Sequence, residues 1–247
     1  MKHLGKNSSS TYTFKQNFKY LEQIPRSICS GEIIGCDFWN AYEFSFLINK
    51  KQQLKILEIN IPFSSKFTVE SKSLKLYLNN FYNVDKNEQA IINIIKKDLS
   101  KLTESNVNVS FIQKFPNPPK STSLNSYKNK YLKPNTLYLY EGFRSICPVT
   151  SQPDWAHIYI KSDKKIENIW IYKLLYSYRN KGDFHEDCIT GIYNKIKNKY
   201  KPNELVLYGR FLRRGGIDIN PIRASHSMLV PEFFVNPNFR IAKTLRQ

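Results

Sequence analysis

The first strong hydrophobic pattern occupies residues 36–47 (CDFWNAYEFSFL) and 54–63 (LKILEINIPF). Both runs are dense in β-branched and aromatic side chains, and the polar stretch NKKQQ between them predicts a hairpin. The period then changes. Over 71–82, Leu74, Tyr77, Leu78 and Phe81 share one helical face while Lys72, Lys75 and Asn79 share the other. A second helix is predicted over 88–102, with Ile91, Ile94, Ile95, Leu99 and Leu102 at core spacing. Strands follow over 106–114 and 136–142, flanking a Pro-, Ser- and Asn-rich loop at 115–135. The second half returns to the same order. Strands near 144–150 and over 156–161 precede helices over 166–179 and from 184 to about 200. A strand over 204–213 and a Pro-punctuated tail end the chain.

The predicted fold class is therefore α+β: two modules, each an antiparallel sheet covered by a helix pair. Polar, weakly periodic residues 1–34, with a Ser run at 8–10 and Pro25, are expected to form a lead-in. The modules are expected over 35–142 and 143–247. The pattern contains neither βαβ alternation nor a G-x-G-x-x-G, which argues against a Rossmann domain.

Composition changes this picture little. A chain of 247 residues with 41% hydrophobic and 14% aromatic residues has enough apolar material for a sizeable core. No apolar run approaches the length of a membrane span, and no signal-like segment follows Met1, so a cytoplasmic protein is expected. Cysteines at 29, 36, 147 and 188 form no C-x-x-C pair, and reduced thiols are the default. The formal charge of +18 raises the question of nucleic acid. However, Lys195, Lys197, Lys199 and Lys201 are spaced by two on a helix end and wrap around it instead of forming a stripe. No direct nucleic-acid contact is expected.

Four segments carry candidate chemistry. In Arg144-Ser-Ile-Cys147-Pro-Val-Thr-Ser-Gln-Pro-Asp154, prolines at 148 and 153 hold a non-helical path between a thiol and a carboxylate. A thiolate is a nucleophile near neutral pH, Arg144 is positioned to favour it, and the carboxylate can pass a proton to the attacked group. A buried, inert cysteine fits the same segment. Asp183-Phe-His185-Glu186 opens a helix with capping-box spacing, Asp183 as N-cap. The same carboxylate can accept paired N–H donors from a purine-like edge, and His185 can exchange a proton. Cys188 continues the apolar stripe; read with His185 and Cys147 it would give a weakly specific zinc set. Glu70-Ser71-Lys72 and Arg213-Arg214-Gly215-Gly216 each fit a solvated face or, alternatively, a phosphate site.

Taken together these motifs resemble the 7-cyano-7-deazaguanine reductases, the nitrile reductases of queuosine biosynthesis, in their two-module form. The resemblance runs through GCDFWNAYE at 35–43, ESKSLKLYLN at 70–79, CPVTSQPDW at 147–155, FHE at 184–186, RRGGIDINP at 213–221 and the closing RQ. It implies tandem tunnelling-fold modules. It also implies that Cys147 adds to the nitrile carbon to give a thioimide, with Asp154 as proton donor, and that two NADPH complete a four-electron reduction to the aminomethyl product. His185 is the matching histidine beside the substrate. Val69, Glu70, Ser71 and Glu186 are implied for the substrate, with the two glutamates reading the deazaguanine edge. Ser71, Lys72, Lys75, Arg214 and Gly215 are implied for the cofactor, with no metal. A homodimer is expected. Because the binding motif lies in the first half and the nucleophile in the second, both halves should be needed. Ile146, Ala156 and the 115–135 loop depart from the family pattern. Two other readings remain open: a metal-dependent cyclohydrolase of the same fold, and a basic RNA-binding module.

Overall fold

The computed structural model describes residues 14–26, 33–113 and 120–226; the Ser run at 8–10, Cys29 and the closing Arg246-Gln247 lie outside the described residues. The chain divides into two compact units. The first draws on Met1–Ile28 and Trp39–Gln113, and the second on Cys29–Phe38 and Lys114–Gln247.

In the first unit a 3-10 turn (Phe14–Tyr20) leads to β1 (Gln23–Pro25), which pairs antiparallel with β4 (Phe67–Val69). Part of the expected lead-in is thus structural. A three-residue strand ending in proline is too short to leave a periodic signal. Strands β2 (Ile34–Ile48) and β3 (Lys51–Pro62) are longer than predicted and meet at Asn49-Lys50, both at positive φ (50° and 61°). The polar run NKKQQ is therefore mostly strand, closed by a two-residue turn whose twist matches the strands. β5 (Asn108–Ile112) pairs antiparallel with β3. Helices α1 (Ser71–Asn79) and α2 (Glu88–Thr103) bury the predicted faces, Leu74, Tyr77 and Leu78 on one and Ile91, Ile95 and Leu99 on the other. Phe81, just past α1, lies 5.5 Å from Phe44, and Phe46 stacks on Phe111 at 5.6 Å.

The second unit contains β6 (Thr122–Ser123), β7 (Tyr131–Leu132), β8 (Tyr138–Ile146), β9 (Pro153–Ser162) and β10 (Ile166–Glu167). It continues with α3 (Asn168–Tyr176), α4 (His185–Tyr200), β11 (Leu205–Phe211) and β12 (Ile217–Ala224). Its sheet runs from residues 34–38 of β2 through β12, β11, β9 and β8 to β6. The ladders β8–β9, β9–β11 and β11–β12 are antiparallel, and the short β6–β8 pair is parallel. The expected strands at 136–142 and 144–150 are one strand, bulged at Gly142 (φ 79°) where the register shifts between Glu141 and Phe143. That strand pairs with β9, so the unit boundary falls near 113 and not at 142. Periodicity reports that a segment is a strand; it does not report which sheet receives it. The predicted helix over 166–179 begins two residues later, because Ile166 and Glu167 pair with Leu132 and Tyr131.

The expected tail contains β12. Pro221 has no N–H for a ladder, and beside it the Asn220 side chain accepts the Phe211 N–H at 3.0 Å. One face of the sheet carries the main core, where Ile158, Ile160 and Leu207 meet Ile171, Leu175, Ile189 and Ile192 of the helices. At Gly209 a Cβ would lie 2.6 Å from Ile189 Cδ1, so the absence of a side chain lets α4 approach β11 closely. No helix among the described residues is long and apolar enough to cross a membrane.

Candidate active site

The β8–β9 register pairs Ser145 with Asp154 and Ile146 with Pro153, so residues 147–152 form the connecting loop. Cys147 N–H donates to Gln152 O (2.9 Å) and Ser151 N–H donates to Cys147 O (3.0 Å), with Ser151 left-handed at φ 56°. The thiol at the mouth of this loop is half-buried. Burial pushes its pKa up, and the like charge of Asp154 acts the same way. The Thr150 hydroxyl and the backbone N–H groups of Thr150 and Val149 hydrogen-bond the sulfur and outweigh both, so the net shift is downward. Arg144, expected to favour the thiolate, is engaged elsewhere: its guanidinium donates to Arg179 O and Asn180 Oδ1 and lies over Trp155.

Asp154 is the second residue of β9 and is almost wholly buried, its side chain 4% exposed. Its Oδ2 lies 3.3 Å from His185 Nε2, and its Oδ1 accepts from Arg214 Nη1 at 2.5 Å. Burial pulls the carboxyl pKa up; His185 first and Arg214 second outweigh it and hold the group below the usual carboxylate range. Arg214 is presented by a two-residue turn, Gly215-Gly216 (φ 58° and 79°), closed by Arg214 N–H donating to Ile217 O. Its Nη2 donates to Thr150 Oγ1 (3.0 Å) and to Gln152 Oε1. Asp154 is the leading influence raising the Arg214 pKa, with the Cys147 sulfur behind it.

His185 is the first residue of α4, and its ring stacks on Phe211 of β11 with centroids 3.8 Å apart and planes 7° from parallel. Its Nδ1 is buried without a hydrogen bond among the described residues. The N-cap is Phe184, with no side-chain capping bond, so the expected capping box at Asp183 is not formed. Asp183 lies one position too early and pairs with Lys181 Nζ at 2.5 Å. Glu186 is buried in the first helical turn. Cys188 is fully buried in the core, its thiol pushed up to about 12 by burial. The packing stripe claims it, as the periodicity predicts.

In the first unit, Glu70 is itself the N-cap of α1. Its Oε1 accepts Lys72 N–H (3.0 Å) and its Oε2 accepts Ser73 N–H (2.6 Å). A carboxylate oxygen has two lone-pair directions, so capping leaves acceptor capacity on both. Glu70 N–H donates to Glu22 O (2.8 Å), and Glu22 N–H donates to Ser73 Oγ (3.0 Å). Glu22, just before β1, thereby orients the motif that follows β4. Val69 is buried at the end of β4, while Ser71 and Lys72 open the helix, with Lys75 one turn on.

The structure thus brings Cys147, Asp154, His185 and Arg214 together within the second unit, and places Val69, Glu70, Ser71, Lys72 and Lys75 around one helix start in the first. The reading of the residues missed Thr150, Gln152 and Phe211. Thr150 and Gln152 lie inside the CPVTSQPDW segment, where the residue types alone assign them no contact, and Phe211 reaches His185 through sheet geometry.

Residues 15–111 match the family model described as nitrile reductase, 7-cyano-7-deazaguanine-reductase N-term, and residues 153–228 match one described as QueF-like protein. Three curated relatives are named NADPH-dependent 7-cyano-7-deazaguanine reductase. That of Desulfotalea psychrophila is 36% identical over 82% of this chain and 81% of its own. That of Buchnera aphidicola subsp. Schizaphis graminum is 36% identical over 77% and 82%. That of Hahella chejuensis is 31% identical over 94% and 96%. With these matches following the order of the motifs around Glu70, Asp154, His185 and Arg214, the chain belongs to the NADPH-dependent 7-cyano-7-deazaguanine reductase family.

Proposed function

We propose that this chain reduces the nitrile of 7-cyano-7-deazaguanine to the aminomethyl group through a covalent thioimide on Cys147. The observation that carries the reading is a thiol of lowered pKa on a loop whose next strand has, as its second residue, a carboxylate paired to a histidine. Thiolate attack on the nitrile carbon forms the S–C bond and opens one C–N π bond, and the nitrogen takes up a proton. A nitrile nitrogen is feebly basic, so a positioned acid contributes about 10²–10⁴-fold. Asp154, whose Oδ2 lies 3.3 Å from His185 Nε2, is the proposed donor of that proton. Cys147 leaves as thiolate once the thioimide carbon has been reduced, and a second reduction of the resulting imine gives the amine.

NADPH, when bound, supplies the hydride for each reduction. The Arg214 side chain, 34% exposed beside two glycines that carry no Cβ, fits an anionic group. Ser71, Lys72, Lys75 and Gly215 complete the proposed cofactor set. Val69, Glu70, Ser71, His185 and Glu186 are proposed for the substrate, with the two glutamates accepting from the deazaguanine N–H edge. The proposed enzyme is a homodimer that acts on the free base without contacting nucleic acid. Cys36, Cys147 and Cys188 are in no disulfide among the described residues, which suits a cytoplasmic setting.

The test is to mix the protein with 7-cyano-7-deazaguanine. Without NADPH, intact-mass analysis shows an adduct that Cys147→Ala abolishes; with NADPH, two are consumed per nitrile. An adduct that persists in Cys147→Ala overturns the assignment of nucleophile.

A further inference from the structure

Arg214 is committed to the catalytic cluster more fully than a cofactor contact requires. Nη1 donates to Asp154, and Nη2 donates to both Thr150 and Gln152 of the cysteine loop. Both terminal nitrogens of the fork that would grip a phosphate are therefore engaged by the acid and the loop. The Thr150 hydroxyl that accepts from Arg214 is also a donor to the Cys147 sulfur, so a single cation is tied to the acid directly and to the nucleophile through one residue. The guanidinium remains within reach of a ligand, because its side chain is one-third exposed and its backbone ends in a Gly-Gly turn.

We propose that Arg214 is a positioning residue exchanged between two anions, the Asp154 carboxylate and a phosphate of the cofactor, so that cofactor binding releases Asp154 to carry the proton. The inference rests on the cofactor reading above. The charged groups facing Asp154 are His185 from α4 and Arg214 from the turn before β12; those facing Cys147 are Asp154 and Arg214. With Arg214 on Asp154, the buried carboxylate is stabilised by two neighbours. With Arg214 withdrawn, burial is opposed by His185 alone, and the carboxyl retains its proton to higher pH. The same movement frees Thr150 and Gln152 from the guanidinium, loosening the loop at the moment when sulfur must later depart. Electrostatic coupling of this kind makes cofactor occupancy and acid strength change together, with no large movement of the chain.

The experiment follows single-turnover thioimide formation from 7-cyano-7-deazaguanine as a function of pH, using wild type, Arg214→Gln, Arg214→Lys, and wild type saturated with NADP+. NADP+ occupies the cofactor site without delivering hydride. Arg214→Gln and the NADP+-bound wild type should each retain activity to higher pH, the basic limb moving up by about one to three pH units, while Arg214→Lys stays near wild type. A basic limb that is the same in Arg214→Gln and wild type overturns the proposal. If Arg214→Gln does not fold, the NADP+ arm decides. NADP+ that binds by calorimetry and leaves the limb in place overturns the exchange while the cofactor reading stands; NADP+ that does not bind overturns both.

Discussion

At Asp154 three influences oppose one another: burial, which disfavours the charge, and two neighbours, His185 and Arg214, that together outweigh it. The net shift is downward, which fixes the sign of a pH dependence. A carboxyl whose folded pKa is depressed contributes stability that is fully present above its unfolded value of about 3.9 and is lost as pH falls through the folded value. The stability difference between wild type and Asp154→Asn is accordingly widest near neutral pH and closes in acid. Urea unfolding between pH 7 and about pH 3 measures it, and a difference constant across that range contradicts the pairing described here. The Asp154–Trp155 pair was legible from its motif. Its partners were not, since His185 and Arg214 lie 31 and 60 residues away in sequence, and only the folding of α4 and the Gly-Gly turn onto β9 makes them neighbours.

At the scale of elements, the position of α4 decides where His185 and Glu186 stand. Two devices hold it: the close approach at Gly209 and a buried ion pair. Arg223 of β12 donates through Nη1 to Asp37 of β2 at 2.8 Å and through Nε to Thr190 at 2.9 Å; Thr190 in turn donates to Glu186 O at 2.7 Å. Arg223 and Asp37 side chains are 1% and 0% exposed. Removing one partner of such a pair leaves a buried charge uncompensated, a cost of about 3–5 kcal/mol. Arg223→Met should lose that much in urea unfolding, and adding Asp37→Leu should recover most of it. A double variant no more stable than the single one would show that the ion pair does not carry the effect. The helix itself was legible from its period, within one residue at its start. Its anchoring was not, because Arg223 stands in a segment whose prolines made it read as a tail.

At the scale of the molecule, the motif proposed to read the substrate belongs to one unit and the proposed nucleophile to the other, so binding and reactivity can be separated experimentally. Glu70→Ala removes an N-cap from α1, at a cost of about 0.5–2 kcal/mol in stability. It should also abolish the nitrile adduct while leaving alkylation of Cys147 by iodoacetamide at the wild-type rate. An adduct formed at the wild-type rate would remove Glu70 from the proposed substrate set. Part of the basic charge has a local setting. Lys197 and Lys199 lie in the last turn of α4, where the helix dipole favours cations, and Lys199 and Lys195 sit over the rings of Trp170 and Tyr178.

The sequence by itself determined the α+β class, the four α-helices found among the described residues, most of the strands and the residues proposed as reactive. Hydrophobic period and local motif are properties of contiguous residues, and both survive in a string of letters. Tertiary structure decided that 138–146 pairs with β9, that 217–224 is a strand, that Arg144 is engaged by Arg179 and Asn180 and that Arg214 grips Asp154. Each of these depends on which distant backbone supplies a hydrogen-bond ladder or which distant charge lies within a few ångströms. Such pairings are settled by the packing of whole sheets and helices, and no local pattern encodes them.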